Sequence, residues 1–285
     1  MRYFLISALL ASSALTAQAA GVERVSHGKL PQLGSAIAMI YDEQTGQPLY
    51  SKNINNVVPI ASITKLMTAM VILDARLPLD EPITITREDR DRLKGTKSRL
   101  KDGMTLTRGD LLTLAVMASE NRAAAALART YPGGTPVLVA MMNAKARELG
   151  MDDTHFEGPV GLQSENVSTA KDLVKMVLAA QNYEHIQRAS TQSRHVVKIN
   201  ARQSLYFGNT NPLVRSRNWE IGLSKTGYIS EAGRCLVMQA KLSERPTVIV
   251  LLDSWGKNTR VGDANRIKNW MERPAPRSSR QSRIR

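Results

Sequence analysis

The spacing of apolar residues changes several times along the chain, and each change predicts an element. Residues 35–41 (Ser-Ala-Ile-Ala-Met-Ile-Tyr) read as a strand, Thr45-Gly46 as a turn, and residues 48–51 as the start of a return strand, giving a hairpin. Over residues 59–77 the period becomes helical. Ile63, Met67, Met70, Val71 and Asp74 fall at helical spacings, Pro59 stands just upstream, and the segment stops before Pro78. Polar, proline-punctuated sequence follows to about Thr107, broken by Ile83-Thr84-Ile85. Thr107 and Asp110 have the spacing of a capping box ahead of an apolar helix over 111–118. An alanine-rich helix over 122–129 ends at Pro132-Gly133-Gly134, and another spans 136–149 with Gly150 just past its end. A further helix begins at Ser168-Thr169 and runs to Ala180. From Asn218 the alternation returns, predicting strands over 219–228, 235–242 and 247–253 in an antiparallel meander, then a closing helix over 259–272. The expected architecture over residues 35–272 is of the mixed α/β (α+β) class: both strand groups in one antiparallel sheet, flanked by helices and beside an all-helical subdomain.

The first nineteen residues stand apart. Met1-Arg2 is a basic start, residues 3–15 are apolar, and Ala17-Gln18-Ala19 has the small-x-small form of a cleavage site. Residues 1–19 therefore read as a secretory signal peptide and 20–34 as a linker, with an exported, periplasmic mature protein as the consequence. No other run approaches the roughly 20 apolar residues of a membrane span. Cys235, the single cysteine, excludes an internal disulfide and reads as a small core hydrophobe. The formal net charge is +14, and residues 273–285 place five arginines among proline and serine. That tail reads as disordered, and its charge suits peripheral association with an anionic membrane or wall polymer. Export and an aromatic content of 5% exclude nucleic acid as a partner. His27, His155, His185 and His195 are scattered without ligand spacing, so neither metal nor cofactor is implied.

Three short patterns carry candidate chemistry. Ser62 and Lys65, three residues apart at the start of an apolar helix, share a face. The helix dipole repels a lysine there and burial disfavours its charge, penalties that suit a lysine acting as a base. Ser98 and Lys101 have the same spacing but lie in a charged, glycine-flanked segment that reads as solvated loop. Ser119-Glu120-Asn121 sets a hydroxyl and an amide at the junction of two apolar helices. Ser164-Glu165-Asn166 and Ser216-Arg217-Asn218 share that pattern in polar surroundings and read as turns. Lys225-Thr226-Gly227 occurs once. Strand alternation puts Lys225 on the face of Ile221 and Leu223, where an amine is costly without a task, while Gly227 admits a close backbone or ligand.

In this order and these contexts the three patterns match the set shared by β-lactamases and penicillin-binding proteins. The chain resembles the low-molecular-mass penicillin-binding proteins of the D-alanyl-D-alanine peptidase family. It is most similar to the short murein D-alanyl-D-alanine endopeptidase branch across residues 59–80, 119–126 and 167–173. The resemblance implies a penicillin-binding, β-lactamase-like fold, cross-linked peptidoglycan peptides as substrate and β-lactams as covalent inhibitors. It further implies Ser62 as nucleophile, Lys65 as its base, Ser119 as proton relay and Asn121 as a holder of substrate and Lys65. Lys225 and Thr226 would engage the substrate carboxylate region beside Gly227. The N–H groups of Ser62 and Tyr228 would form an oxyanion hole. The glutamate of an E-x-x-x-N loop, which hydrolytic class A β-lactamases use, is missing, because Glu157 and Glu165 are followed four residues on by Gly161 and Thr169. A β-lactamase is thus the weaker enzyme reading beside a D-alanyl-D-alanine carboxypeptidase. A non-catalytic β-lactam sensor would be fused to a membrane segment that the sequence does not show.

Overall fold

The computed structural model describes residues 29–273; the expected signal peptide and nearly all of the basic tail lie outside the described residues. The chain opens with a hairpin, β1 (Ser35–Asp42) and β2 (Gln47–Lys52), turned through Gly46 at a positive φ of 66°. A two-residue strand β3 (Val58–Pro59) leads into a 3-10 turn, Ala61–Ile63, and then α1 (Thr64–Asp74). The short pair β4 (Pro82–Thr84) and β5 (Thr105–Thr107) brackets a long loop. Next come α2 (Arg108–Met117), α3 (Asn121–Arg129) and α4 (Gly134–Glu148), then β6 (Val167–Ser168), α5 (Ala170–Ala180) and α6 (Glu184–Thr191). A second hairpin, β7 (Arg194–Lys198) and β8 (Ser204–Gly208), precedes β9 (Glu220–Ile229), β10 (Gly233–Leu242), β11 (Arg245–Ser254) and α7 (Thr259–Met271).

The two strand groups join in one antiparallel sheet ordered β2-β1-β11-β10-β9, as the alternation predicts. Alternate residues serve two cores. Ala38, Ile40, Leu236, Met238 and Leu251 pack with Ile267 and Trp270 of α7, whereas Ile37, Met39, Val237, Val250 and Leu252 belong to the other core, on the face covered by α5. Both faces are covered, which is why the central strands β10 and β11 read as almost continuous apolar runs. Asp263 ties α7 to the start of β1 by accepting from the backbone N–H of Gly34 (3.0 Å) and Ser35 (2.7 Å). Cys235 is buried in β10, and burial pushes its thiol up to about 12, so it stays a protonated apolar filler.

Three expectations need correction. Helix α1 starts at Thr64, so Ser62 lies in the 3-10 turn before it rather than in the α-helix. Ala61, at φ 48° with Gly161 and Gly227 packed against the turn, breaks the path between β3 and α1. Helix α2 starts at Arg108, three residues early, because Thr107 accepts from Asp110 N (3.1 Å) and the buried Arg108 guanidinium is paired with Glu81 (2.6 Å). Helix α6 and the β7–β8 hairpin are elements that the apolar spacing does not announce. Asp110 anchors the hairpin to α2 through His195 (2.8 Å).

The loop 157–166 is clamped to the 3-10 turn by Asn166. Its side chain bonds Thr64 Oγ1 (3.0 Å), Gly158 O (2.7 Å) and the N–H groups of Glu157 and Gly158 (both 3.0 Å). Asn166 is therefore a buried bracket rather than simple turn chemistry. Gly161 has φ 78°, and a Cβ there would sit 2.1 Å from Ala61 O. Gly161→Ala is expected to cost more than about 1 kcal/mol, lowering the melting temperature by at least about 2 °C. Unchanged melting would contradict the packing of this loop on the turn.

Candidate active site

Ser62 is almost wholly buried, 9% exposed, at the middle of the 3-10 turn. Two glycines let other backbone press against that turn. Gly161 lies behind Ala61, and a Cβ on Gly227 of β9 would come within 2.9 Å of Ile60 O and 3.2 Å of Ser62 N. The close approach predicted for Gly227 is thus an approach of protein backbone. Since β9 is an edge strand, its Lys225-Thr226-Gly227 segment runs directly beside the turn that carries Ser62.

One turn on, Lys65 is completely buried, and its Nζ has three neighbours: Ser62 Oγ at 2.8 Å, Asn121 Oδ1 at 2.8 Å and Val160 O at 2.7 Å. Asn121 Oδ1 and the Val160 carbonyl can only accept, while the Ser62 hydroxyl can donate. A neutral amine, with two N–H groups and one lone pair, satisfies all three, as would an ammonium with three N–H groups; burial rather than the contacts therefore decides the charge. Burial brings Lys65 down to about 7, against the opposing pull of the Glu120 and Asp91 carboxylates.

Ser119 occupies the break between α2 and α3, at φ 56°. Together with Ala61, it places left-handed, non-glycine backbone on two sides of one cleft, strain of the kind that surrounding structure must hold in place. Glu120 caps α3 by accepting from Ala123 N (2.8 Å), and Asn121 begins the helix. From this break Ser119 Oγ reaches Lys225 Nζ at 2.8 Å. Lys225, also buried, gives a second bond to Thr226 O (2.8 Å). Burial lowers its pKa well below the usual range, and the charges of Lys65 and Arg260 add to the effect. Thr226 Oγ1 lies 2.6 Å from Thr210 Oγ1, and Thr210 borders the same depression as Ser119. The Tyr228 side chain is exposed, with the Arg234 guanidinium 4.5 Å above its ring.

Of the eight residues singled out in the sequence, Ser62, Lys65 and Asn121 are joined by hydrogen bonds, Ser119 is bonded to Lys225, Gly227 packs on the Ser62 turn, Thr226 bonds Thr210, and the Tyr228 side chain is exposed. Of the look-alike patterns, Ser98 borders the same depression as Ser119, but among the described residues no hydrogen bond links it or Ser164 to these eight. Ser98 makes a local turn with Leu100, and Ser164 bonds the neighbouring Glu165. Glu157 and Glu165 are exposed, and Glu157 faces His155. The sequence reading missed the Val160 carbonyl, Thr210 and Arg260. Arg260, from the first turn of α7, has buried Nε and Nη1 groups with no hydrogen-bond partner among the described residues, and its charge is felt by Lys225. A carbonyl contact leaves no mark in a sequence, and an arginine at a helix start looks like surface.

Two depressions meet at Asn121. One, of about 370 Å³, is bordered by Lys97, Arg99, Ser119, Phe207 and Thr210; the other, of about 220 Å³, by Arg92, Leu93, Val160, Leu162 and Gln163.

Comparison with known proteins agrees with this geometry. Residues 24–256 match the family model described as D-alanyl-D-alanine carboxypeptidase. The chain belongs to that family of serine D-Ala-D-Ala peptidases. It is 46% identical to the D-alanyl-D-alanine endopeptidase of Pseudomonas aeruginosa over 242 residues, 85% of this chain and 78% of that protein. It is equally similar, 46% over 243 residues with the same coverage, to the enzyme of that name from Escherichia coli. Among solved structures, the Streptomyces K15 DD-transpeptidase superposes with a TM-score of 0.79 at 27% identity, covering 85% of this chain and 98% of that one. A D-alanyl-D-alanine carboxypeptidase from Mycobacterium tuberculosis gives 0.76 at 27%, covering 85% and 92%. The fold is the penicillin-binding, β-lactamase-like one that the three motifs imply.

An amine with a pKa of about 7 can accept a proton near neutrality, whereas one at the ordinary lysine value cannot. Capture of a penicillin by this family member is therefore expected to accelerate as pH rises through about 7 and to level off above it. Lys65→Arg is expected to lose at least about a hundredfold, since guanidinium stays protonated. A flat profile between pH 5 and 9, or an arginine variant at full rate, would remove Lys65 from the proton transfer.

Proposed function

We propose that the chain is a murein D-alanyl-D-alanine endopeptidase that opens peptide cross-links through an acyl-enzyme on Ser62. The observation that carries the chemistry is the fully buried Lys65 amine, 2.8 Å from the Ser62 hydroxyl and brought down to about 7 by its burial. Ser62 Oγ attacks the carbonyl carbon of the D-Ala residue as its proton passes to Lys65. The carbonyl oxygen becomes an oxyanion between the backbone N–H groups of Ser62 and Tyr228; loss of one such donor typically slows acylation about 10²–10³-fold. Ser119, held at 2.8 Å by Lys225, gives its proton to the leaving amine and takes in exchange the one that Lys65 received from Ser62, so the C–N bond breaks and Lys65 is neutral again. Water then attacks the ester carbonyl, with Lys65 again taking a proton, and the D-Ala carboxylate leaves as Ser62 regains its hydrogen.

The positive side of the cleft binds the carboxylate next to the bond that is cut. Thr226 offers a hydroxyl, Lys225 a nearby amine, and Arg260 two buried N–H groups without a partner among the described residues. A cross-link consists of two peptide strands, one acylating the enzyme and one leaving. The depressions on either side of Asn121 give each strand a path, with Ser119 bordering the one for the leaving strand. Likeness to the two endopeptidases at 46% identity favours this reading over a carboxypeptidase that releases free D-Ala. The apolar run and small-x-small site before residue 20 support export to the periplasm, where the substrate is, and the arginine-rich tail supports peripheral attachment to an anionic surface. Among the described residues no helix is long and apolar enough to cross a membrane.

Two measurements test the proposal. A labelled penicillin should add one adduct to the wild-type mass and to Ser98→Ala, and none to Ser62→Ala; label on Ser62→Ala would overturn the nucleophile. Chromatography of purified murein fragments should show cross-linked dimers converted to monomers at least about tenfold faster than terminal D-Ala is lost from pentapeptide monomers. The reverse order would make the enzyme a carboxypeptidase.

A further inference from the structure

The loop between β4 and β5 reaches the active-site cleft through Thr96, a residue that no catalytic pattern contains. Asn121 Nδ2 lies 2.8 Å from Thr96 Oγ1, and Thr96 Oγ1 lies 2.6 Å from Asp91 Oδ2. The directions of these bonds are forced. Asp91 is ionised, its carboxyl held below the usual range by the N–H groups of Lys94, Thr96 and Leu93 and by the Thr96 hydroxyl, so it can only accept. The Thr96 hydroxyl hydrogen therefore goes to Asp91, and its lone pairs accept from Asn121. That assigns the amide: Nδ2 faces Thr96, so Oδ1 faces Lys65. A flipped amide would set N–H groups against Lys65 Nζ and oppose the oxygens of Asn121 and Thr96, costing a bond at both ends.

Asp91 is itself well placed for this. Its Oδ1 accepts from Leu93 N (2.8 Å) and Lys94 N (3.0 Å), and its Oδ2 from Thr96 N (2.9 Å), so the loop is wound around one carboxylate. The loop is also tied across the cleft, where Lys94 pairs with Glu231 in the turn between β9 and β10. Arg99, further along the same loop, stacks 5.0 Å from Phe207 of β8. The segment is thus pinned at both walls of the cleft, with Thr96 between the pins.

We propose that Asp91 and Thr96 are positioning residues for acylation: they lock the Asn121 amide so that its oxygen holds the Lys65 amine in line with Ser62. The second N–H of Asn121 Nδ2 stays available to a substrate carbonyl, because an amide nitrogen carries two hydrogens and Thr96 uses one. Neither residue touches the reacting atoms. Their effect passes through Asn121, and the inference rests on the Lys65–Asn121 contact serving acylation as set out above.

The test is the second-order rate of acylation by a penicillin, followed by intact mass, for single and double variants of the full protein. Thr96→Val keeps the shape but loses the hydroxyl, and is expected to acylate about tenfold more slowly. Thr96→Ser restores it and should stay within about threefold of wild type. Asn121→Ala should be slower still, and adding Thr96→Val to it should change nothing further, because the group through which Thr96 acts is gone. Thermal melting of each variant separates this from unfolding. Thr96→Val at wild-type speed, or a loss that persists in full on the Asn121→Ala background, would overturn the proposal. Asn121→Ala at wild-type speed would instead overturn the role given to Asn121 itself.

Discussion

A lysine amine held without solvent is the constraint on which the site depends. An exposed lysine is protonated at neutral pH and strongly hydrated, and cannot take a proton from a hydroxyl. Lys65 escapes that state because its side chain is completely buried, with Ser62, Asn121 of α3 and Val160 of the 157–166 loop around its nitrogen in place of water. The carboxylates of Glu120 and Asp91 work against this. They are close enough to raise its pKa, yet burial outweighs them and leaves the amine near 7. Were those carboxylates in direct contact, the same burial would hold an ion pair instead of a base. Glu120 is kept from doing so by capping α3, and Asp91 by the N–H groups of its own loop.

Much of the remaining architecture serves this enclosure. The Val160 carbonyl is delivered by a loop that Asn166 brackets to α1 and that Gly161 allows against Ala61. Gly227 lets the edge strand lie against the Ser62 turn, which sets the second buried amine, Lys225, beside Ser119. Two lysines in one water-poor cleft repel each other. That repulsion, with burial and Arg260, depresses Lys225 as well.

The parts legible in the sequence were those where a residue violates its surroundings. Lys65 in an apolar helix, Ser119 between two apolar helices and Lys225 on an apolar strand face each break a local pattern, and each proves to point into the cleft. The sheet was legible too, because β1, β10 and β11 are buried on both faces and so read as apolar runs. What stayed hidden carries no such violation. The β7–β8 hairpin is short, with outward Val196 and Tyr206, and its residues make no apolar periodicity. Arg108 disguises the start of α2, since a buried, paired arginine reads as a surface charge. The 3-10 geometry at Ser62 comes from long-range packing of Gly161 and Gly227, residues about 100 and 165 positions away, and local spacing cannot register it.

The claim that Lys65 is a neutral base can be tested without turnover. Protein labelled at lysine Cε can be titrated by NMR, with resonances assigned through Lys65→Met and Lys225→Met variants. One resonance should titrate with a midpoint near 7 and vanish in Lys65→Met, while the surface lysines titrate near 10. A Lys65 resonance that titrates with the surface lysines would contradict the account at its centre.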